Sequence, residues 1–251
     1  MTKIEWCDNT INPLGWGCYG PGGNKENPKP CPYCYARRAS RGPWAAQRGC
    51  PDCMAFRPHW HPEMLEKPLK WRKPRRIFVQ SMGDLFHPET PQEHIEAVLK
   101  TVRACPQHTF IFLTKNPARY PLFHFPFNCM IGATATSQES WDHAIKVLGL
   151  TQAGHLYRFG YPVNTFISAE PLLGPIEPGG MHALSWLIIG AERWKSVVPE
   201  RRWIMSLLTS ARRSGAAVFM KDNLSGLAPL GRDPEGKPYL CREFPKEVSN
   251  G

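Results

Sequence analysis

The chain has 251 residues, 42% hydrophobic and 11% aromatic, which is enough apolar material for one continuous core and excludes a disordered chain. Its 31 Lys and Arg against 21 Asp and Glu leave a formal charge of +10, favouring a polyanionic partner such as nucleic acid or a phosphorylated substrate. No apolar run reaches the about 20 residues of a membrane helix, and MTKIEWCDNT lacks a basic-then-apolar leader, so no membrane association and a cytoplasmic location are expected.

In a reducing compartment, nine cysteines are not a disulfide framework. Cys7, Cys18, Cys31, Cys34, Cys50 and Cys53 cluster early, as metal ligands do, whereas Cys105, Cys129 and Cys241 are scattered and read as inert. The stretch GWGCYGPGGNKENPKPCPYCYARR places Cys18, Cys31 and Cys34 among Gly, Pro and Lys residues that do not make an ordinary core. An iron–sulfur cluster and a zinc ion both suit such thiols. Cys31-x2-Cys34 and Cys50-x2-Cys53 stand fifteen residues apart, the spacing of a four-thiolate zinc ribbon, and His59 and His61 in RPHWHPE are further candidate ligands. A ribbon, however, leaves Cys18 without a role.

The densest basic run, KPLKWRKPRR, carries Lys67, Lys70, Arg72, Lys73, Arg75 and Arg76 around Trp71. It reads equally as a phosphate-binding surface and as a solvated lead-in to a strand. From residue 77 onward, short β-branched or aromatic runs alternate with helical patterns. Strands are predicted at 77–81, 110–114, 129–134, 163–168, 186–190 and 217–220, and helices at Gln92 to Ala104, Ser140 to Leu150 and Glu200 to Ser214, the last stopped by Gly215. Nearly continuous apolar strands separated by helices predict a parallel sheet, open or rolled into a barrel.

Ligands gather at the carboxyl ends of such strands. These ends read SMGD (81–84), TKNP (114–117), TATSQE (134–139), SAEP (168–171), GAER (190–193) and KDN (221–223). Ser137 with Ser140, or Asp84, can also serve merely as caps. Six polar ends in succession nevertheless favour a shared ligand site.

The segments KIEWCDNTINPLGWGC, CPYCYA, HPEMLEKPLKWRKPRRIFVQSMGDLF, CPQHTFIFLTKNPARY, ISAEPLLGPIE, WLIIGAE, VFMKDNL and REFP together resemble a phage-encoded and prokaryotic three-cysteine family related to radical S-adenosylmethionine enzymes. The resemblance spans almost the whole chain. It implies an α/β fold with an incomplete (β/α) barrel of parallel strands, a [4Fe–4S] cluster on Cys18, Cys31 and Cys34 in an N-terminal cysteine-rich loop, and S-adenosylmethionine, with the aromatic Tyr35 following the last thiol. The usual C-x3-C-x2-C pattern is altered here, because twelve residues separate Cys18 from Cys31. That long loop is entropically tolerable, since closure cost grows slowly with length. Cys50 and Cys53 then become a separate feature, a zinc site with His59 and His61 or free thiols on an inserted hairpin.

Three thiolates on a four-iron cubane leave one iron open to the amino and carboxylate groups of S-adenosylmethionine, whose cleavage yields a 5′-deoxyadenosyl radical. Candidate cofactor contacts are Ser81 and Asp84 for the ammonium, Thr114 and Lys115 for the carboxylate region, and Thr134, Thr136 and Glu170 for the ribose. Arg193, Lys221, Asp222 and Asn223 are candidate substrate contacts. The expected protein is one radical enzyme domain over 1–251, with a Cys/His insertion at about 43–66 and an irregular tail at about 224–251. Its expected substrate is a nucleic-acid base or nucleotide, phage DNA hypermodification being the best fit, and its electron donor a reductase or flavodoxin-type protein. The location is then the host cytoplasm. Whether it acts as isomerase, lyase or transferase stays open. The competing readings are a zinc-ribbon nucleic-acid-binding protein without catalysis and an iron–sulfur protein that only transfers electrons.

Overall fold

The apolar runs become strands buried along most of their length, in a computed structural model that describes residues 4–42, 49–192, 197–227, 229, 231–232, 236 and 238–246. Its elements in chain order are β1 (Asn9–Ile11), α1 (Tyr35–Ser40), α2 (Pro51–Met54), α3 (Glu66–Lys70), β2 (Arg76–Val79), α4 (Gln92–Arg103), β3 (Thr109–Thr114) and β4 (Cys129–Thr134). There follow α5 (Gln138–Phe159), β5 (Asn164–Ala169), β6 (Trp186–Ile189), α6 (Arg201–Ser214) and β7 (Ala217–Met220), with short 3-10 turns and one small hairpin (Gly231–Arg232 with Pro238–Tyr239) besides. Seven strands follow one another in the order of the chain, β1 through β7. Sequential order is that of singly wound β/α repeats, not of a doubly wound sheet with a switch point.

The chain divides into two compact units, Met1–Met130 and Ile131–Gly251. In the first, β1 runs parallel to β2 and β2 to β3, with Ile77 opposite Phe110 and Phe78 opposite Ile111. Helix α4 buries Ile95, Val98, Leu99 and Val102, the i, i+3, i+4, i+7 stripe that a core-facing helix requires. Asn128 closes this layer by donating from its side-chain amide to the carbonyls of Val102, Cys105 and His108. In the second unit, β5, β6 and β7 are parallel neighbours, and all four residues of β6 are buried. Helix α6 covers its own apolar stripe of Ile204, Leu207, Leu208 and Ala211 and stops at Gly215, whose φ of 77° is left-handed.

Several elements differ from expectation: the short helices α2 and α3 were not foreseen, and the tail expected to be irregular carries the small hairpin. Strand β1 was not foreseen; it has only three residues, Asn9–Ile11, too few to show a period. Helix α5 runs to Phe159, well past the expected Leu150, before Gly160 ends it at φ 80°. Its buried side continues from Trp141, Ala144 and Leu148 through Thr151 and His155, so polar residues occupy the stripe where an apolar signal was sought. Its start follows the bland expectation: Ser137 and Ser140 form a reciprocal capping box. Residues 43–48 of the expected insertion and much of the expected tail lie outside the described residues.

Candidate metal and cofactor site

In the first unit the carboxyl ends of β1, β2 and β3 are tied together by buried polar side chains. Gln80, at a left-handed φ of 64°, accepts from the Leu14 N–H (2.9 Å) and donates to the Gly15 carbonyl (2.9 Å). Asn12 accepts from the Met82 N–H (2.9 Å) and the Ser81 hydroxyl (3.2 Å). Gly17 then bridges Gly83 in parallel fashion, which delivers Cys18 beside the end of β2. A side chain at Gly17 is excluded, since a Cβ there would lie 2.3 Å from backbone atoms of Arg57 and Pro58.

Asp84 is the knot between β2 and β3. It is 8% exposed, and it accepts from the Thr114 hydroxyl (2.6 Å), the Asn116 side-chain amide (2.9 Å), the Lys115 N–H (3.1 Å) and the Phe86 N–H (3.0 Å). Both oxygens are therefore engaged, and Asp84 organises the strand ends. The expected contacts Ser81, Asp84, Thr114 and Lys115 are thus brought to one place.

Cys18 and Cys34 reach the same strand end, Cys18 next to the Gly17–Gly83 bridge and Cys34 packed against Met82, with Cys31 one turn before Cys34. Burial pushes the Cys18 thiol up to about 12; the Asp84 carboxylate adds to this, as do Cys31 and Cys34, against the Gly20 N–H that donates to its sulfur at 3.2 Å. Cys34 is raised by burial and by Cys31, while the Arg37 N–H, donating to its sulfur at 3.4 Å, and Lys115 oppose the shift. Cys34 caps α1, and the Tyr35 hydroxyl of that helix donates to the Ser81 carbonyl. Lys115 lies over the ring of Tyr33, 5.6 Å from its centroid. Tyr33, Asn12 and Gln80 were not among the expected site residues; Asn12 and Gln80 flank short strands, where one polar residue carries no period. Cys105, Cys129 and Cys241 are buried, and burial raises each thiol, Cys241 to about 11.

The second C-x2-C pair does not complete a ribbon with the first. Ligand atoms of Cys50, Cys53, His59 and His61 lie within 4.8 Å of one another, a group able to hold a metal such as zinc, and it includes neither Cys31 nor Cys34. Between this group and the cysteine loop opens a cleft of about 190 Å³, lined by Cys18, Tyr19, His59, Trp60, Asp84 and His87 among others. His87 steadies the loop, its Nε2 facing the Gly20 carbonyl at 3.2 Å while its Nδ1 accepts from the Glu89 N–H.

The basic run sits at the amino end of β2. Arg76 is held by Asp8, which accepts from its guanidinium and its N–H, and Arg75 donates to Asn9 at 2.6 Å while its guanidinium lies over Trp71. Lys70 pairs with Glu66. Lys67, Arg72 and Lys73 are exposed.

In the second unit, Thr134 ends β4 half-buried, and the Thr136 N–H donates to the Ser140 hydroxyl (2.9 Å). Glu170 after β5 pairs with Lys221 after β7 at 2.5 Å, so an expected ribose contact and an expected substrate contact meet. Gly190 makes room for this pair, since a Cβ there would lie 3.0 Å from the Glu170 side chain and 3.1 Å from that of Lys221. Asn223 donates to the Ala191 carbonyl (2.7 Å) and accepts from its N–H (3.1 Å), and Asp222 pairs with Arg242. Arg193 lies outside the described residues.

No helix among the described residues is long and apolar enough to cross a membrane. No curated protein and no solved structure matches the chain. Residues 1–229 match the family described as "Protein of unknown function (DUF5131)", and the chain belongs to that family.

Proposed function

We propose that Cys18, Cys31 and Cys34 hold a [4Fe–4S] cluster that works with S-adenosylmethionine, and that the protein is a radical enzyme acting on a nucleic-acid base or nucleotide. The observation that carries this reading is the placing of Cys18, by the Gly17–Gly83 bridge, and of Cys34, whose helix is tied to Ser81 through Tyr35, at the carboxyl end of β2. The residues suit such a group. Backbone N–H donors reach the sulfurs of Cys18 and Cys34, and the glycines of the loop admit close backbone approach: a Cβ at Gly20 would lie 1.8 Å from the Lys29 carbonyl oxygen. When bound, cluster and cofactor supply one-electron cleavage of the sulfonium and a carbon-centred radical. The chain's own part is to bind, orient and shield. Ser81 and Lys115 offer polar contacts near the thiols, and Cys18 and Asp84 line the cleft beside them.

The substrate class rests on charge: the chain carries +10, and Lys67, Arg72 and Lys73 are exposed where flanking phosphates can sit. Modified phage-type DNA is the substrate favoured, with electrons supplied by a reductase or flavodoxin-type donor. The test is anaerobic reconstitution with iron and sulfide, reduction, and assay for 5′-deoxyadenosine and methionine. Deuterium transfer to 5′-deoxyadenosine is then followed with modified DNA and with the matching mononucleotide. A fully loaded sample that fails to bind S-adenosylmethionine overturns the radical reading. Label appearing only with a peptide or lipid precursor overturns the nucleic-acid one.

A further inference from the structure

The Cys50, Cys53, His59, His61 group is built in more detail than proximity requires. A tetrahedral zinc with sulfur at about 2.3 Å and nitrogen at about 2.0–2.1 Å sets its ligand atoms about 3.3–3.8 Å apart. Here the Cys50 sulfur lies 3.0 Å from His59 Nε2, the Cys53 sulfur 4.0 Å from His59 Nε2 and 3.7 Å from His61 Nε2. Both imidazoles turn Nε2 inward because Nδ1 is occupied: His59 Nδ1 meets the Arg57 carbonyl at 3.1 Å, and His61 Nδ1 meets the Glu63 carboxylate at 2.6 Å. A carboxylate or carbonyl behind each ring is the arrangement that orients metal-bound histidines and raises their basicity. The Trp16 N–H donates to the Cys53 sulfur at 3.3 Å. Gly15, at a left-handed φ of 62°, lets the backbone press against the group; a Cβ there would lie 2.7 Å from His59, 2.9 Å from His61 and 3.1 Å from the Cys53 sulfur.

Four protein ligands and no open position describe a structural site. Its place in the fold says what it holds. The His59 N–H donates to the Leu14 carbonyl (3.2 Å) and the His61 N–H to the Pro13 carbonyl (2.6 Å), so residues 59–61 are laced to the loop that leads from β1 to Cys18. Cys53 is buried with Trp16, Ala36 and Met82, and Cys50 and Cys34 pack against them. His59 and Trp60 form one wall of the cleft whose other side carries Cys18, and the Trp60 ring is stacked on His94 at 4.1 Å and 4°.

We propose that Cys50, Cys53, His59 and His61 bind one Zn²⁺, which fastens residues 50–61 to the loop carrying Cys18 and so fixes the wall of the cleft. Binding releases a proton from each thiol, and two thiolates then balance the charge of the ion. The zinc assignment stands apart from the iron–sulfur reading; only its effect on cluster loading rests on that reading. Protein purified from zinc-supplemented medium is expected to carry about one zinc per chain. Cobalt in its place should give the intense visible bands of a tetrahedral site with thiolate ligands. Cys50→Ala and His61→Ala should lose zinc, whereas Cys18→Ala and Cys31→Ala should keep it even when iron is absent. A milder variant, Glu63→Gln, keeps all four ligands and should weaken zinc about tenfold in competition with a chelator. Failure of wild-type protein to bind zinc or cobalt overturns the site. Retention of zinc by Cys50→Ala, or its loss from Cys31→Ala instead, overturns the ligand set, and an unchanged affinity in Glu63→Gln removes His61 from it. Zinc-stripped protein that still loads iron in full overturns the role in fixing the Cys18 loop.

Discussion

Asp84→Asn separates an organiser of strand ends from a ligand of a bound cofactor. In the wild type, one buried carboxylate accepts four hydrogen bonds from residues of two strand ends and the turn after β2. Asparagine keeps one acceptor. In its better orientation the amide nitrogen faces Thr114, whose hydroxyl can turn to accept, and the Phe86 N–H is left without a partner in the protein. One buried donor without a partner costs about 1–3 kcal/mol, and the two bonds that survive lose their ionic acceptor and with it about half their strength. The sum is about 3 kcal/mol. Urea unfolding of the unit carrying Asp84, followed by the fluorescence of Trp16 and Trp60 in variants lacking the other tryptophans, measures it as a shift in midpoint at constant slope. Iron loading should fall with stability. A loss below about 1 kcal/mol, with iron intact and cofactor binding weakened, would refute the organising role and return Asp84 to the cofactor.

Other outcomes follow from the same contacts. Ser137→Ala removes the cap of α5 and should cost about 1 kcal/mol by thermal or chemical denaturation, with no change in metal content. Hydrogen bonds from Arg76 hold the Asp8 carboxyl below the usual carboxylate range. A depressed folded-state pKa gives stability that is present above the unfolded value, near about 3.9, and is lost as pH falls through the folded value. Wild type should therefore exceed Asp8→Asn in Tm at pH 6 by a small margin, the pair being part-exposed, and that margin should close on acidification. Equal Tm differences at pH 6 and pH 2 would contradict the pairing.

Much of the fold was legible because burial on both strand faces leaves a continuous apolar signature. Strands β2 to β7 and helices α4 and α6 fall within a residue or two of their expected bounds. What escaped was short or polar: β1 with three residues, helices α2 and α3 with four and five, the two-residue strands of the tail hairpin, and the second half of α5, whose buried side is Thr151 and His155. Cysteine spacing alone was ambiguous. Two C-x2-C pairs fifteen residues apart match a ribbon, yet the chain folds Gly15 and Trp16 against Cys53 and brings His59 and His61, rather than Cys31 and Cys34, to the second pair. The Cys50, Cys53, His59, His61 set was expected as the alternative to a ribbon, and spacing does not choose between the two, because the outcome depends on the long-range lacing of residues 59–61 to Pro13 and Leu14. The roles of Gln80 and Asn12 were hidden, since each acts on backbone that is near in space and about 65 to 70 residues away in sequence.

The measurement that tests the central claim most directly is iron and acid-labile sulfide per chain after anaerobic reconstitution, made in parallel on wild type, Cys18→Ala and Cys105→Ala. Wild type and Cys105→Ala should each carry a full [4Fe–4S] complement with its visible absorbance, and Cys18→Ala should lose it. A Cys18→Ala protein that retains the full complement, or a wild type that takes up none, would contradict the three-thiol assignment.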